Sequence, residues 1–396
     1  MPPPLNIAFL HPDLGLGGAE RLVVDAAVEL QAAGHRVTLY TSHHDRARAF
    51  PETVDGTLDV RVHGGFLPHH VLQRLRAPCA VARAAWLATT ALAPGRHDVV
   101  VCDVVTHAIP LARARARAPV VLYCHFPDLL LAPRRDGVYR WYRAPIDGLE
   151  RAATARADRV LVNSRFTAAR VRAAFPELAR EPEVVYPGVA LDPREPSPPA
   201  GATILCVSRF DPAKRLERAV DALAALRDLL APDELAPVRL VIAGGYDARL
   251  AECRATFDGL AARAAGLGLA DRVALVRSPS DADLRALLSR ARCVVYTPED
   301  EHFGLVPLEA MAAGRPVVAV SAGGPAETIR DGETGILCPP DAGAFAGALA
   351  RLLREPETAR RMGAAGRRHV AARFSRAAFG ARLEAVLRDV VAGARS

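Results

Sequence analysis

The sequence predicts an α/β protein built from two similar doubly wound domains that face each other across a cleft. Short apolar runs typical of buried strands alternate with helical patterns along the chain, which indicates parallel sheets with right-handed crossovers. At 396 residues the chain is too long for one ordinary core. A Pro-rich stretch without apolar periodicity, residues 193–201, separates the two series of elements and marks the linker.

The composition narrows the class of protein. With 51% hydrophobic and 24% charged residues, the sequence is typical of a soluble globular protein. No apolar run reaches the ~20 residues of a spanning helix, and the start lacks the basic region of a signal peptide. We therefore expect a cytoplasmic protein that binds a membrane, if at all, from that side. The seven cysteines form no C-x-x-C pair, which favours free thiols. The net charge of +7 is spread over both halves, so we expect no nucleic-acid partner.

The first element is a strand, Asn6–Leu10, followed by a Gly-rich turn and a helix that ends at Gly34. This order opens a Rossmann-like unit, and Gly17 and Gly18 would let the backbone approach a ligand closely. The pattern is not G-x-G-x-x-G, because Glu20 takes the last glycine's place, so NAD binding is not predicted. Tight packing of helix on strand explains the turn equally well.

The rest of the first half adds strands and two segments of ambiguous meaning. The predicted strands are Arg36–Thr41, Asp98–Cys102, Pro119–Cys124, Arg159–Asn163 and Glu183–Tyr186. Residues 66–93 mix large apolar side chains with Arg74, Arg76 and Arg83, and residues 134–143 mix arginines with aromatic side chains. Each segment suits either ordinary core-facing helices or a surface that rests on lipid headgroups.

His125 follows the strand Pro119–Cys124 at the carboxyl edge of the sheet, and Asp128 follows within reach. Ligands of open α/β sheets bind at that edge. A single histidine at a strand end is usually structural, and its place at this edge makes the functional alternative about equally strong.

The second half repeats the alternation of strands and helices. Its predicted strands are Thr203–Val207, Arg239–Ala243, Arg272–Val276, Arg292–Tyr296, Pro316–Val320 and Gly335–Cys338. The loop Ser208–Arg215 contains Arg209 and Lys214, and Lys214 is the only lysine beside 50 arginines. A guanidinium and an ammonium at a strand end suit a diphosphate on which charge develops.

Two carboxylates flank the turn between the strand that ends at Tyr296 and a helix predicted over Val306–Ala313. Glu301 would lie in the loop and Glu309 inside the helix, whose free N–H groups suit a phosphate. Carboxylates beside an anion site indicate a nucleotide sugar, although two solvent-facing glutamates would give the same pattern. Ser280–Asp283 resembles a metal pair, but a helix cap explains it better, and no metal is predicted.

These motifs, in this order, resemble the retaining glycosyltransferases of family 4, which have the GT-B fold of two Rossmann-like domains. The likeness covers nearly the whole chain: the Gly-rich turn, the loop with Arg209 and Lys214, the E-x7-E pair Glu301 and Glu309, and a last helix. Longer strings are similar to the dolichol-pathway mannosyltransferases that add the second and third mannoses to a lipid-linked chitobiose core. The strings are HPDLGLGGAERLVVDAA, VVVCD, YCHFPDLLL, YRAPID, LVNSRFTA, AGGYD, SPSDADL, YTPEDEHFGLVPLEAM and AVSAGGPAETI.

The resemblance implies a role for each matching residue of the second half. Arg209 and Lys214 would hold the donor diphosphate and stabilise it as it leaves, and Glu301 would hydrogen-bond the donor sugar. Glu309 would bind the nucleotide ribose. Backbone N–H groups would contact the sugar and phosphate, from Phe303, Gly304, Leu305 and Val306.

In the first half, the resemblance implies that Gly17 and Gly18 let the helix approach the phosphates and that His125 approaches the reacting sugar. It implies an acceptor-binding domain over residues 1–192, a linker over 193–202 and a nucleotide-sugar domain over 203–373. The last helix, residues 374–396, would cross back to the first domain. The donor would be GDP-mannose, with no further cofactor and no metal, and the acceptor a polyprenyl-diphosphate oligosaccharide extended by α1,3 and α1,6 linkages.

One departure from the family concerns the membrane. Relatives carry strongly apolar segments near residues 80–95, and here Arg83 interrupts that stretch. We therefore expect peripheral attachment to the cytosolic face of a membrane, the endoplasmic reticulum in a eukaryote. Three other hypotheses stay open: a family 4 enzyme with another nucleotide sugar or a non-lipid acceptor, a pyridoxal-phosphate phosphorylase with Lys214 as its Schiff base, and a non-enzymatic nucleotide sensor.

Overall fold

The computed structural model describes residues 3–70, 76–131, 137–194, 196 and 201–395. Parts of the predicted segments 66–93 and 134–143 and of the linker lie outside these residues, as do the side chains of residues 138–140. The chain forms two compact units. The first comprises residues up to Gly188 together with the last helix from Arg376, and the second comprises Val189–Ser375.

The first domain contains a seven-stranded parallel sheet in the order β3-β2-β1-β4-β5-β6-β7. Its strands are β1 (Asn6–Leu14), β2 (Arg36–His44), β3 (Asp59–Val62), β4 (Val99–Asp103), β5 (Val120–Cys124), β6 (Arg159–Val162) and β7 (Glu183–Val184). The winding direction changes between β1 and β4, which are hydrogen-bonded neighbours. The carboxyl ends of strands at such a switch point form the crevice where ligands of this architecture bind.

Helices cover both faces of this sheet. They are α1 (Gly18–Ala32), α2 (Arg76–Ala91), α3 (Ile109–Ala116), α4 (Asp128–Leu131), α5 (Gly137–Thr154) and α6 (Arg165–Ala174). Alternate strand residues point to opposite faces: Ile7 and Phe9 pack with the core that includes α1, whereas Ala8 and Leu10 pack with the core that includes α2 and α3. The central strands β4 and β5 are buried on both faces, which explains their unbroken apolar runs.

The second domain contains a six-stranded parallel sheet in the order β10-β9-β8-β11-β12-β13. Its strands are β8 (Thr203–Val207), β9 (Arg239–Gly244), β10 (Val273–Arg277), β11 (Ala291–Tyr296), β12 (Val317–Val320) and β13 (Gly335–Cys338). Here the switch point lies between β8 and β11. The loops that follow these two strands carry Lys214 and Glu301, so the topology brings two distant parts of the sequence to one edge.

The helices of the second domain are α7 (Glu217–Ala225), α8 (Pro232–Leu235), α9 (Ala251–Gly266), α10 (Asp281–Arg290), α11 (Leu305–Ala312), α12 (Pro325–Thr328), α13 (Ala342–Arg354) and α14 (Pro356–Arg373). The core under α7 and α13 contains the inward-facing residues Ile204, Cys206, Cys293 and Val295. This packing fixes the strands whose ends carry the loops of interest.

The last helix, α15 (Arg376–Arg395), packs against α1 of the first domain, and Phe379, Leu383 and Leu387 enter the same core as Leu22 and Val23. Within the described residues, no helix combines the length and the apolar character needed to cross a bilayer.

Candidate active site

Lys214 and Glu301 form an ion pair at the carboxyl edge of the second sheet. Lys214 ends a short 3₁₀ turn, Pro212–Lys214, in the loop after β8, and Asp211 caps this turn by accepting a hydrogen bond from the N–H of Ala213. Nζ of Lys214 lies 2.8 Å from Oε2 of Glu301, and the Tyr296 hydroxyl donates to the same oxygen at 2.6 Å. The structure thus brings together two predicted residues that are 87 positions apart.

Arg209 occupies the same loop but remains largely exposed. Its guanidinium lies 3.2 Å from the Asp211 carboxylate, and 70% of its side chain is accessible. A long cation on a short exposed loop can reach an anionic ligand without first breaking a buried contact. The predicted phosphate-binding role of Arg209 stays a prediction.

The loop after β11 has a buried support that the sequence reasoning missed. Arg218 of α7 is buried, donates a hydrogen bond to the Thr297 carbonyl at 2.7 Å and pairs with Glu299. The Thr297 hydroxyl in turn donates to the Lys214 carbonyl at 2.7 Å. These contacts join the loops of Lys214 and Glu301. Only the place of Arg218, just past the Lys214 loop, could have drawn attention to it in a chain so rich in arginine.

The turn from Glu301 into α11 is packed closely against a second glycine turn. The N–H of Gly324 donates to the Glu301 carbonyl at 2.8 Å, and a Cβ on Gly324 would lie 2.1 Å from the Phe303 carbonyl oxygen. Phe303 is buried, and Gly304 precedes the helix with a φ of 83°. Leu305 and Val306 form the first turn of α11, whose N–H groups lack an intrahelical acceptor.

Glu309 lies in α11 and is half-buried. Burial, and to a lesser degree the charge of Asp281, raises the pKa of its carboxyl above the ordinary value. Among the described residues, no side-chain hydrogen bond or ion pair holds this carboxylate. A half-buried acid without such a partner gains from a ligand hydroxyl that donates to it, which suits the predicted ribose contact.

The Gly-rich turn of the first domain leads into α1 as predicted. Gly17 is the residue before the helix, and a Cβ there would lie 2.2 Å from the Glu20 carboxylate. A Cβ on Gly18, by contrast, would meet no atom within 4 Å. The flexible Glu20 side chain occupies the space beside Gly17, whereas the space beside Gly18 is open to a ligand.

His125 follows β5 at the edge of the first sheet, and its carboxylate partner is Asp103 rather than Asp128. Nε2 of His125 lies 2.8 Å from Oδ1 of Asp103, and Nδ1 of His11 lies 2.7 Å from Oδ2 of the same carboxylate. Asp128 instead pairs with Arg143, at 2.7 Å. Asp103 is the partner of His125 because it ends the neighbouring strand β4 at the same edge of the sheet.

The electrostatics of this cluster follow from burial and from the two histidines. Burial alone would raise the pKa of Asp103, but His125 and His11 outweigh it and lower the value to about 2. Burial alone would lower the pKa of His125, but the charge and hydrogen bond of Asp103, with a smaller effect of Glu20, raise it. The first domain therefore holds a charged carboxylate under a histidine with increased affinity for a proton.

Ser280 and Asp283 form a reciprocal helix cap, as predicted. The Ser280 hydroxyl accepts from the N–H of Asp283, and the Asp283 carboxylate accepts from the N–H of Ser280. Across the described ranges, no group of three or more His, Cys, Asp or Glu side chains could hold a metal ion. The expectation that the reaction needs no metal remains untested.

The segments 66–93 and 134–143, which the sequence left ambiguous, pack in part as ordinary helices of the first domain. The described part of 66–93 contains one helix, α2, where the sequence suggested a helix pair, and its Arg83 is buried and paired with Asp13. Arg143 is likewise buried, between Asp128 and Asp147. Neither arginine is available to a lipid headgroup. The side chains of Phe66 and Trp141 are nevertheless exposed.

Two family models match the chain. The family described as "Glycosyltransferase Family 4" matches residues 16–193, and "Glycosyl transferases group 1" matches residues 191–369. Among solved structures, sucrose-phosphate synthase from Thermosynechococcus elongatus superimposes with a TM-score of 0.76 at 25% identity, covering 98% of this chain and 100% of that one. HepE of Anabaena, in complex with UDP and glucose, gives a TM-score of 0.71 at 21% identity, covering 97% and 100%. The predicted GT-B fold is confirmed.

Curated relatives narrow the family. The chain is 43% identical to the alpha-1,3/1,6-mannosyltransferase ALG2 of Homo sapiens, over 95% of this chain and 94% of the relative. It is 40% identical to the alpha-1,3/1,6-mannosyltransferase ALG2 of Rhizomucor pusillus, over 97% and 91%. The family expected from the sequence is confirmed: the chain is a glycosyltransferase that belongs to the alpha-1,3/1,6-mannosyltransferase family.

Proposed function

We propose that this enzyme transfers mannose from GDP-mannose to a polyprenyl- or dolichyl-diphosphate-linked oligosaccharide, forming α1,3 and α1,6 linkages with retention of configuration. Family membership over nearly the full length supports mannosyl transfer. The observation that carries the chemistry is the Lys214–Glu301 ion pair at the switch point of the second sheet. It sets the only lysine of the chain beside a carboxylate that can hydrogen-bond a sugar.

In this proposal the second domain binds the donor. Lys214 and Arg209 hold the diphosphate, and the backbone N–H groups from Phe303 to Val306 contact its oxygens and the sugar. The Glu309 carboxylate accepts a hydrogen bond from a ribose hydroxyl. Among the described residues, no side chain donates a hydrogen bond to this carboxylate. Gly18 leaves room for phosphate at the start of α1, and His125 contacts the transferred sugar.

In the proposed reaction the diphosphate begins to leave before the acceptor hydroxyl attacks the sugar. Cationic groups stabilise the leaving oxygen as its charge grows, because preorganised charge is worth most where charge develops. A double displacement would need a free carboxylate as nucleophile. Glu301 already accepts from Tyr296 and Lys214 on one oxygen, and Glu299 is paired with Arg218. In the proposed mechanism the acceptor hydroxyl attacks from the face that the diphosphate leaves, and the departing phosphate oxygen takes its proton.

The proposal includes peripheral attachment to the cytosolic face of a membrane, where a lipid-linked acceptor is held. The exposed side chains of Trp141, Phe66 and Leu131, accessible by 74%, 72% and 58%, support it. The net charge of +7 adds a general attraction to anionic lipid.

Product analysis tests the proposal. The purified enzyme is incubated with GDP-mannose and a synthetic lipid-linked chitobiose–mannose acceptor, and NMR of the product assigns the anomeric configuration and linkage positions. We expect α-linked mannose at O3 and O6. A β-linked product would overturn the mechanism, and transfer only from UDP- or ADP-sugars, or only to a non-lipid acceptor, would overturn the assigned substrates. An aldimine absorption band would instead indicate a pyridoxal-phosphate enzyme with Lys214 as its Schiff base.

A further inference from the structure

Three neighbouring strands of the first sheet bring His11, Asp103 and His125 to one point. His11 lies in β1, Asp103 ends β4, and His125 follows β5, and these strands are consecutive in the sheet. The Asp103 side chain is fully buried, and each of its two oxygens contacts one histidine, at 2.7 and 2.8 Å. The single buried carboxylate of Asp103 thus contacts both imidazole rings.

This arrangement fixes the orientation of His125. Nε2 is held by Asp103, the ring packs against Tyr123 with centroids 5.2 Å apart, and the carbonyl of His125 accepts from the Asn163 side chain at 3.3 Å. About a quarter of the side chain, 24%, remains accessible. Nδ1 has no hydrogen-bond partner among the described residues. It is therefore the ring nitrogen left for a ligand.

We propose that Asp103 and His11 are positioning residues for His125: Asp103 holds His125 as an imidazolium whose Nδ1–H donates to an oxygen of the bound substrate, and His11 fixes the Asp103 carboxylate and limits its pull on the His125 proton. The inference rests on the proposed function, because it assumes that His125 meets the substrate. The substrate oxygen that accepts this hydrogen bond belongs to a hydroxyl or a phosphate group. Neither Asp103 nor His11 touches the reacting atoms in this scheme.

The charges around His125 fit this role. Asp103 faces it from β4 and Glu20 from α1, and both raise the pKa of His125 against the effect of burial. Tyr123, on its own strand, stays neutral because burial raises the pKa of the phenol well above its usual range. His11, from β1, contacts the far oxygen of Asp103 and draws part of the carboxylate's charge toward itself. The imidazolium is populated at low pH and is lost as pH rises through the raised pKa.

The test is an NMR titration of ¹³C-labelled histidine in the wild type and in the Asp103→Asn and His11→Leu variants. The signal of His125 is assigned by its absence from the spectrum of His125→Gln. In Asp103→Asn we expect the His125 midpoint to fall by about one pH unit or more, the scale for losing an adjacent opposite charge. In His11→Leu we expect it to rise, because leucine leaves the Asp103 charge to His125 alone. The control is Asp98→Asn, at the opposite end of β4, where Asp98 accepts from the Asn6 N–H. It should leave the midpoint unchanged.

The pH profile of kcat/KM for mannosyl transfer then separates positioning from mere stability. The basic limb of the profile should move down in pH in Asp103→Asn and up in His11→Leu, by the shift of the NMR midpoint. An unchanged midpoint in both folded variants, or a midpoint that moves without the limb, would overturn the inference. If Asp103→Asn does not fold, His11→Leu decides alone. Absence of mannosyl transfer by the wild type would refute the proposed function, while the NMR titration would still report on the coupling.

Discussion

At the scale of single residues, the sequence predicted which side chains matter better than it predicted their partners. Lys214 stood out because it is the only lysine, and Glu301 because of its spacing from Glu309. That Lys214 and Glu301 bind each other follows only from the adjacency of β8 and β11. His125 was singled out for its place at a strand end, but Asp103 was not, because its neighbourhood is set by strand order and no local pattern encodes that order.

Removing either member of the Lys214–Glu301 pair should lower turnover by at least ~100-fold, the scale for one preorganised electrostatic contact. The variants are Lys214→Ala and Glu301→Ala, assayed with saturating donor. Lys214→Arg should not restore activity, because a planar guanidinium cannot replace a compact ammonium. The matched control is Asp221→Ala, which removes an exposed ion pair with Arg263 in the same domain and should leave turnover unchanged. Normal turnover in either folded alanine variant would exclude that residue from the active site.

At the scale of elements, the apolar runs predicted twelve of the strands to within a few residues and missed β3. That strand, Asp59–Val62, is a short edge strand with an alternating polar pattern, so it shows no buried run. β1 is four residues longer than predicted because it continues through His11-Pro-Asp-Leu14, where Pro12 contributes no N–H to the ladder. The extension sets His11 on the functional edge.

A methyl group at Gly324 should displace the loop that carries Glu301. In Gly324→Ala the new Cβ would overlap the Phe303 carbonyl oxygen, so we expect a loss of activity together with about 1–3 kcal/mol of stability. The control is Gly347→Ala in α13, where a Cβ meets no atom within 4 Å. That change should stabilise the fold by roughly 0.5–1 kcal/mol. Thermal unfolding and donor kinetics measure both effects, and full activity of Gly324→Ala would show that the turn does not position Glu301.

The turn after His125 should contribute a pH dependence to stability. Glu150 of α5 is buried and accepts hydrogen bonds from the N–H groups of Asp128 and Leu129, both at 2.9 Å. Burial, assisted by Asp128 and Asp147, outweighs these bonds and raises the pKa of Glu150 from 4.5 to about 7. The folded chain therefore keeps a proton that the unfolded chain has released. The associated stability is complete below pH 4.5 and is lost as pH rises through 7.

Denaturant unfolding between pH 4.5 and 8 measures this contribution. Glu150→Gln should make the free energy of unfolding fall less steeply with pH than in the wild type, by on the order of 3 kcal/mol over the window. Glu181→Gln, an exposed acid paired with Arg172, should keep the wild-type slope. Equal slopes in wild type and Glu150→Gln would show that the pKa of Glu150 does not differ between the folded and unfolded chains.

At the scale of the whole molecule, composition and the alternation of strands with helices predicted the class of fold and the two domains. Which side chains are free to contact a membrane could be judged only from their positions in the structure. Arg83 and Arg143 were candidates for lipid contact in the sequence, yet both are buried in ion pairs within the first domain. The exposed apolar side chains of that domain remain, and they lie on elements that the sequence alone could not orient.

The enzyme should sediment with anionic liposomes at low salt and be released as salt screens the net charge of +7. Trp141→Ser should weaken binding, because it removes the most exposed of the large apolar side chains described. Leu250→Ser, an exposed apolar residue of the second domain, serves as the control and should bind like the wild type. No sedimentation at low salt would mean that the acceptor is taken from micelles or from solution.

The solitary lysine also makes the chain a reporter of its own donor site. A lysine-specific endoproteinase has one peptide bond to cut, between Lys214 and Arg215, and that bond lies where the 3₁₀ turn ends. Cleavage requires that the Lys214 side chain leave Glu301 and enter the protease. Bound GDP should therefore slow the appearance of the two fragments, and Glu301→Ala should accelerate it. An unchanged cutting rate in that variant would show that the ion pair does not restrain the loop. The rate of this cleavage, measured by gel electrophoresis, therefore reports how often the site opens in solution, without a label and without turnover.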